Sequence, residues 1–331
     1  MSVVAARLSA DLLAIDAAAV AARIESALRE QVFGRLRRRG VVIGLSGGVD
    51  SSVVAALSAR ALGRERVLGL FMPEADSSSD SLRLGRLVAS HLGIESVLED
   101  IGPVLAAAGC YTRRDAAIRL AIPEYGEGYK SKLVVTSGGD ASYALYSVVV
   151  QSPDGRQMTR RLTPAACLGI VAATNLKQRT RKMVEYYHAD RCRYAVAGTP
   201  NRLEYDQGFF VKGGDGAADL KPIAHLYKSQ VYAIARHLGI PEEILRRPPT
   251  TDTYSLEQSQ EEFYFAVPLE QMDLCLFARD QQMPVEDVAA ALDWPVARAA
   301  RMYAHIDARR RSACYLHMAP LLVEPIEGAG C

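Results

Sequence analysis

A chain of 331 residues, 49% hydrophobic and 23% charged, has room for a sizeable core and for one large α/β domain or two small ones. A net charge of +1 argues against a nucleic-acid partner, and no apolar run is long enough to span a membrane. Six scattered cysteines with no Cys-x-x-Cys pair argue against structural zinc and a disulfide framework; with charges at Arg7, Asp11, Asp16 and Arg23 breaking any signal-peptide layout, a cytoplasmic protein is expected.

The first periodic stretch covers residues 10–39. Leu12, Ile15, Val20, Ile24, Leu28, Val32 and Leu36 recur at steps near 3.6, which predicts one or two helices that cover a sheet. The basic run Arg35–Arg39 reads as their solvated end. Val41–Gly44 then reads as a buried parallel strand. A tight turn, Ser46-Gly47-Gly48-Val49-Asp50-Ser51-Ser52, leads into a helix over Val53–Leu62. A strand, a glycine turn and a helix start gather unpaired N–H groups at the positive end of a helix dipole, which is a phosphate cradle. The glycines allow close approach of an anion, and the serine hydroxyls add donors. Asp50 cannot help hold a bare anion and reads as a ligand for a metal that accompanies phosphates. The loop has no Walker lysine, and its glycine spacing is not that of a dinucleotide fingerprint.

Arg66–Met72 predicts a second strand ending at Pro73, followed by the polar, helix-capping cluster Asp76–Ser81, a helix over Leu82–Leu92 stopped by Gly93, and a third strand over Glu95–Ile101. This β-α-β-α-β order predicts an α/β fold, a Rossmann-like, doubly wound parallel sheet flanked by helices. Ligands sit beyond the strand C-termini in such sheets, so Met72 and the Ser46–Ser52 loop should face one crevice.

Residues 110–165 break the rhythm. Tyr146–Gln151, a Ser152-Pro153-Asp154-Gly155 turn and Arg156–Leu162 predict an inserted β-hairpin around 143–162. It could cover the site, form an oligomer interface or simply decorate the surface. A long helix follows Thr163-Pro164 and carries Asn175, Lys177, Arg179 and Arg181 at alternate positions, which cannot all share a face. Arg193–Ala197 predicts a strand that ends at Gly198-Thr199-Pro200-Asn201. Glu204–Asp219 reads as a loop long enough to be functional. If helical, Asp215 and Asp219 would share a face. Lys228–Leu238 predicts a helix closed by Gly239, then a rigid loop over Arg246–Asp252, and further helices over 258–320. The six histidines show no metal spacing.

The Ser-Gly-Gly-x-Asp-Ser loop resembles that of the ATP pyrophosphatases. Four stretches together, Ser46–Ser52, Asn175–Arg181, Gly198–Asp219 and Arg247–Asp252, resemble the NAD synthetase family. The resemblance runs from about residue 20 to residue 320 and is weakest over 110–165. It implies a single domain over 1–331, with N-terminal helices at 10–39, the insertion at 110–165 and C-terminal helices at 258–320. It also implies a ligase that adenylates the carboxylate of deamido-NAD with ATP and Mg²⁺, releases pyrophosphate, and lets ammonia displace AMP. The nitrogen would come as free ammonia or from a separate glutaminase, because 331 residues leave no space for a glutaminase domain.

Carried over position by position, the resemblance implies that ATP meets Ser46, Gly47, Gly48, Asp50, Ser51, Ser52, Met72, Thr199, Lys228 and Thr250. Asp50 and Glu204 would hold the metal. Asn175, Arg179, Lys212, Asp219 and Asp252 would bind the acceptor substrate, with two of the four polar residues Asn175–Arg181 on phosphates and the others solvated. Asp215 would be the base that takes a proton from ammonium, and the loop amides, the cations Lys228 and Arg179, and the Mg²⁺ held by Asp50 would stabilise the departing pyrophosphate. A homodimer whose acceptor site draws on both chains is the family's arrangement. The segment Ser259–Ala266, with Gln260 and a Phe263-Tyr264-Phe265 cluster, departs from the family pattern and keeps open a related adenylating amide ligase for another carboxylate.

Overall fold

The computed structural model describes residues 8–136, 145–249, 253–256 and 267–326. Thr250, Asp252 and the segment Gln260–Phe265 lie outside the described residues.

Helix α1 (Ala17–Arg29) starts where Asp16 accepts a hydrogen bond from Ala19 N at 3.0 Å, and it buries Val20, Ile24 and Leu28. It runs on as a π-helical turn over Glu30–Arg35, after which the basic run is exposed, as expected. Strand β1 (Val41–Gly44) leads through the glycine turn into α2 (Val49–Leu62). That helix starts four residues earlier than periodicity suggests, because Gly48 already serves as its N-cap. Next come β2 (Val67–Phe71), α3 (Ser79–Leu92) and β3 (Glu95–Leu98). Ser78 caps α3, and Gly93 ends it in the left-handed region at φ 64°.

The sheet has the order β3-β2-β1-β7 and is parallel throughout, where β7 (Ala195–Val196) pairs with Val41–Val42. It is flanked on both faces. Val41 and Ile43 point into a core shared with α1, α2 and α3, while Val42, Leu68 and Leu70 point to the opposite layer with Ala189 and Val196. Burial on both faces is why β1 reads as an unbroken apolar run. The chain moves outward from β1 to β3 and then returns to the far side of β1. The gap beyond β1 and β7 is thus a topological switch point, where open α/β sheets bind ligands.

Between β3 and β7 lie α4 (Gly102–Ala107), α5 (Cys110–Arg119), β4 (Lys130–Thr136), β5 (Leu145–Gln151), β6 (Gln157–Arg161) and α6 (Pro164–Cys192). The predicted hairpin is present as β5 and β6, but it belongs to a three-stranded antiparallel sheet of order β4-β5-β6. The correction has a physical reason: an isolated hairpin is marginal in water. β4 buries Ser131 and Leu133 while Lys130 and Lys132 turn outward, and Leu133 joins Val148, Val150, Ile118 and Ile170 in a separate core.

The stretch expected to be loop from Glu204 begins instead as a helix. α7 (Arg202–Gln207) carries a capping box between Asn201 and Glu204 and is closed by Gly208 at φ 71°. α8 (Lys228–His237) and α9 (Glu242–Arg246) follow, and α10 (Leu269–Asp280), α11 (Val285–Leu292) and α12 (Val296–His317) form the C-terminal helical layer. Among the described residues, no helix is long and apolar enough to cross a membrane.

Candidate active site

A crevice of about 810 Å³ opens at the switch point. It is bounded by the glycine turn, one face of α6, the Gly198–Asp215 segment and the start of α8. Ser46, Gly48, Asp50, Ser51, Met72 and Thr199, all named from sequence, line it.

The two glycines of the turn differ in role. Gly47 has φ 73°, and a Cβ there would lie 2.7 Å from Ser81 O and 2.8 Å from Leu84 Cβ, so it lets the turn pack on α3. A Cβ on Gly48 would meet only Ser46 Oγ, at 3.3 Å, so this glycine keeps the backbone open toward the crevice. The hydroxyls of Ser51 and Ser52 both donate back to Gly48 O, at 3.1 and 2.8 Å. Ser52 is fully buried, so Ser52 and Gly47 shape the turn from behind while Ser46, Gly48 and Ser51 face the crevice. Arg247, which opens one of the four resembling stretches but carried no role of its own, donates to Ser46 O at 3.2 Å and to Ser81 Oγ at 2.7 Å.

Asp50 sits in the first turn of α2 and accepts from two directions, from Lys228 Nζ and, at 3.2 Å, from Asn201 Nδ2. Asn201 N donates to Glu204 Oε2 at 3.1 Å, so one asparagine joins the two acids expected to hold a metal. Lys228 is buried at the head of α8. Burial works against its charge, but Asp50 and then Glu204 outweigh it and the ammonium is held above its usual range. Two carboxylates with room for phosphate oxygens suit Mg²⁺, which uses one or two acids plus substrate phosphates. Among the described residues, no group of three or more His, Cys, Asp or Glu could hold a metal without a substrate.

α6 presents Asn175, Gln178, Arg179, Lys182 and Glu185 to the crevice at helical steps, with Arg181 beside them. Lys177 is not among them and is not solvated, contrary to the expectation for those residues of the motif that miss phosphate. It is buried, with its Nζ 3.0 Å from Glu74 Oε1, 2.6 Å from Asp76 Oδ2 and 2.7 Å from Thr253 O. Arg114 adds a second cation on Asp76. Lys182 and Glu185 form a buried pair, Nζ to Oε2 2.6 Å, that the sequence reading passed over.

In the Gly208–Asp219 segment, Lys212 lines the crevice, but its Nζ donates to Tyr315 O at 2.7 Å and Met318 O at 3.0 Å, at the end of α12. Asp215 is half-buried in the crevice wall, and its carboxylate accepts from Val211 N at 2.8 Å; desolvation of the carboxyl pushes it above the usual range. The chain turns rather than coils between Lys212 and Gly216, so Asp215 and Asp219 do not share a helical face. Asp219 stands apart from the crevice lining: it accepts from Val196 N at 2.7 Å and from Tyr186 Oη at 3.2 Å, fastening β7.

Comparison with known proteins gives a consistent picture. The family model described as NAD synthase matches residues 20–121 and 151–312, leaving out β4 and most of β5. The NH(3)-dependent NAD(+) synthetase of Rhizobium meliloti (strain 1021) is 61% identical over 321 residues, which cover 96% of each chain. Among solved structures, the NMN synthetase from Francisella tularensis superposes with a TM-score of 0.66 at 21% identity, covering 93% of this chain and 99% of the other. The NH3-dependent NAD synthetase from Campylobacter jejuni subsp. jejuni, in complex with the nitrate ion, gives 0.62 at 20% identity over 94% and 100%. At such identities these two structures speak for a shared fold.

Proposed function

The chain belongs to the NAD synthase family, and from that membership we propose that it is an ammonia-dependent NAD⁺ synthetase, a ligase that converts deamido-NAD, ATP and ammonia to NAD⁺, AMP and pyrophosphate. The observation that carries the reading is the 61% identity to the Rhizobium meliloti synthetase across 96% of both chains.

The crevice offers a part for each step. The open backbone at Gly48, the start of α2 and Ser46 receive the ATP phosphates. The nicotinate carboxylate attacks the α-phosphorus, and negative charge grows on the departing pyrophosphate. Lys228, already charged and buried, meets that charge without needing to be reorganised. Asp50 and Glu204 would hold Mg²⁺, which supplies further charge neutralisation on the phosphates when bound. Arg247 keeps Ser46 in place. Asn175, Arg179 and Lys212 face the acceptor dinucleotide.

In the second step ammonia attacks the acyl carbon and AMP leaves. Asp215 takes the proton that ammonium must lose to become a nucleophile. Free ammonia or a separate glutaminase supplies the nitrogen. We further propose a cytoplasmic homodimer, with one face of α6 as the contact. Leu168, Met183 and Tyr187 along that helix are 69, 56 and 61% exposed, an apolar stripe that a second copy would cover.

Deamido-NAD-dependent exchange of labelled pyrophosphate into ATP, measured without ammonium, tests the adenylation step. Exchange that requires deamido-NAD supports the proposal, and exchange driven only by another carboxylate contradicts it.

A further inference from the structure

The buried pair on α6 has no role in the scheme above, yet it lines the same crevice as the residue proposed to handle the ammonium proton. The turn that carries Asp215 rests directly on α6: a Cβ on Gly214 would lie 2.9 Å from Gln178 Cβ and 3.1 Å from the Gln178 carbonyl carbon. Lys182 is the next residue up that face, one helical turn beyond Gln178, and it lines the same crevice as Asp215. Its Nζ reaches Glu185 Oε2 at 2.6 Å, and both side chains are more than nine-tenths buried. Glu185 in turn stands at the mouth of β1, where a Cβ on Gly44 would be 3.2 Å from Oε1.

We infer that the Lys182–Glu185 pair sets the charge state of Asp215: Lys182 keeps the carboxylate ionised and able to accept a proton from ammonium, and Glu185 limits that pull by holding Lys182 to itself. The inference rests on the reading of Asp215 as the base. The step it supports balances simply. One N–H bond of ammonium breaks, its electron pair stays on nitrogen as the nucleophilic lone pair of ammonia, and the proton moves to a carboxylate oxygen of Asp215. The proton is released to solvent after the amide forms, and nothing is oxidised or reduced.

A second cation is needed because Asp215 is poorly placed to stay charged alone. Burial raises its proton affinity, and the opposing influences are the hydrogen bond from Val211 N and the charges of Lys182 and Arg181. Glu185 is raised by burial too, with Lys182 opposing and Asp215 adding to the rise. The other charged groups around the carboxylate are already committed. Lys221 Nζ donates to Gly216 O at 2.7 Å and lies over the rings of Tyr205 and Phe210, its own charge disfavoured by burial and by Lys182. Lys212 serves the end of α12, and His317 packs on Tyr205 and Phe210. Lys182 and Arg181 both act on Asp215 from α6, and Lys221 also feels its charge; of the two on α6, Lys182 is the one held in the buried pair.

The test is the pH dependence of kcat/KM for total ammonium at saturating ATP and deamido-NAD. Protonation of free ammonia contributes the same slope to every variant, so the variants are compared with one another. K182M should move the acid limb up by about one pH unit, and E185Q should move it down by a similar amount, the scale expected when a neighbouring charge is removed. K182R should restore the wild-type limb, which loss of packing alone would not explain. K182M/E185Q leaves no unpaired buried charge, so it guards against misfolding of the single variant. It should move the limb up by less than K182M.

D215N separates the inference from the reading beneath it. If Asp215 is the base, D215N keeps pyrophosphate exchange and loses amide formation; retained amide formation would overturn that reading. If D215N behaves as expected while K182M/E185Q and E185Q leave the limb unmoved, the base stands and the role of the pair is overturned.

Discussion

Lys228 places its ammonium on the carboxylate of Asp50, joining the head of α8 to the first turn of α2 across 178 positions of sequence. The contact brings together the cation proposed to meet the departing pyrophosphate and the carboxylate proposed to hold its metal. Replacing Asp50 with Asn should lower kcat/KM for ATP by about 100-fold or more, the scale found when a transition-state charge partner is lost. K228M should do the same. The measurement is steady-state NAD⁺ formation across ATP and Mg²⁺ concentrations. In D50N, added Mg²⁺ should not restore the rate; near-normal turnover would refute the metal role of Asp50.

Gly47 and Gly48 should fail differently. G47A must force a side chain into the left-handed region at φ 73° and against Ser81 O, so it should destabilise the fold by about 1–3 kcal/mol. Gly48 has φ −91°, which any residue adopts, and a methyl group there would point into the phosphate cradle. G48A should keep the wild-type Tm and raise KM for ATP. Chemical denaturation paired with ATP titration checks both, and equal loss of stability in the two variants would contradict the assignment.

Much of this geometry was legible in the sequence and some was not. The strand, glycine turn and helix around Ser46–Ser52 announced themselves because burial on both faces of β1 and the φ demand at Gly47 leave few residue choices. The α7 helix was also signalled, by Asn201 and Glu204 at capping-box spacing, but the glycine-rich run after it suggested loop. β4 was missed because Lys130–Leu133 alternates over too few residues to stand out until β5 pairs with it. The faces of α6 could not be sorted from sequence. This 29-residue helix packs on several sides, so Lys177, Lys182 and Glu185 became buried through neighbours distant in the chain. The contact between Arg247 and Ser46, 201 positions apart, leaves no local pattern.

Asp273 makes stability depend on pH. It accepts from Ser229 N at 2.9 Å in the first turn of α8, next to Lys228, while its Oδ1 has no hydrogen-bond partner among the described residues. Burial raises its pKa from 3.8 to about 6. The folded state therefore holds a proton that the unfolded chain releases between these values, and stability from this group is present at low pH and lost as pH rises through 6. D273N keeps an acceptor and cannot ionise. Its stability relative to wild type should grow by about 2 kcal/mol between pH 4 and pH 7 and then level off. Denaturant melts over that range check this, and parallel curves would contradict it.

The apolar stripe on α6 predicts an assembly. Wild type should be a dimer by light scattering, and M183E/Y187E, which sets charges on a covered apolar face, should be a monomer of unchanged helical content. A monomeric wild type would remove α6 as an interface.

Product formation from deamido-NAD, ATP, Mg²⁺ and ammonium chloride is the most direct measurement of the central claim. NAD⁺, AMP and pyrophosphate should appear in equal amounts, with no NAD⁺ when ammonium is left out. ATP turnover without NAD⁺ at saturating ammonium would contradict it.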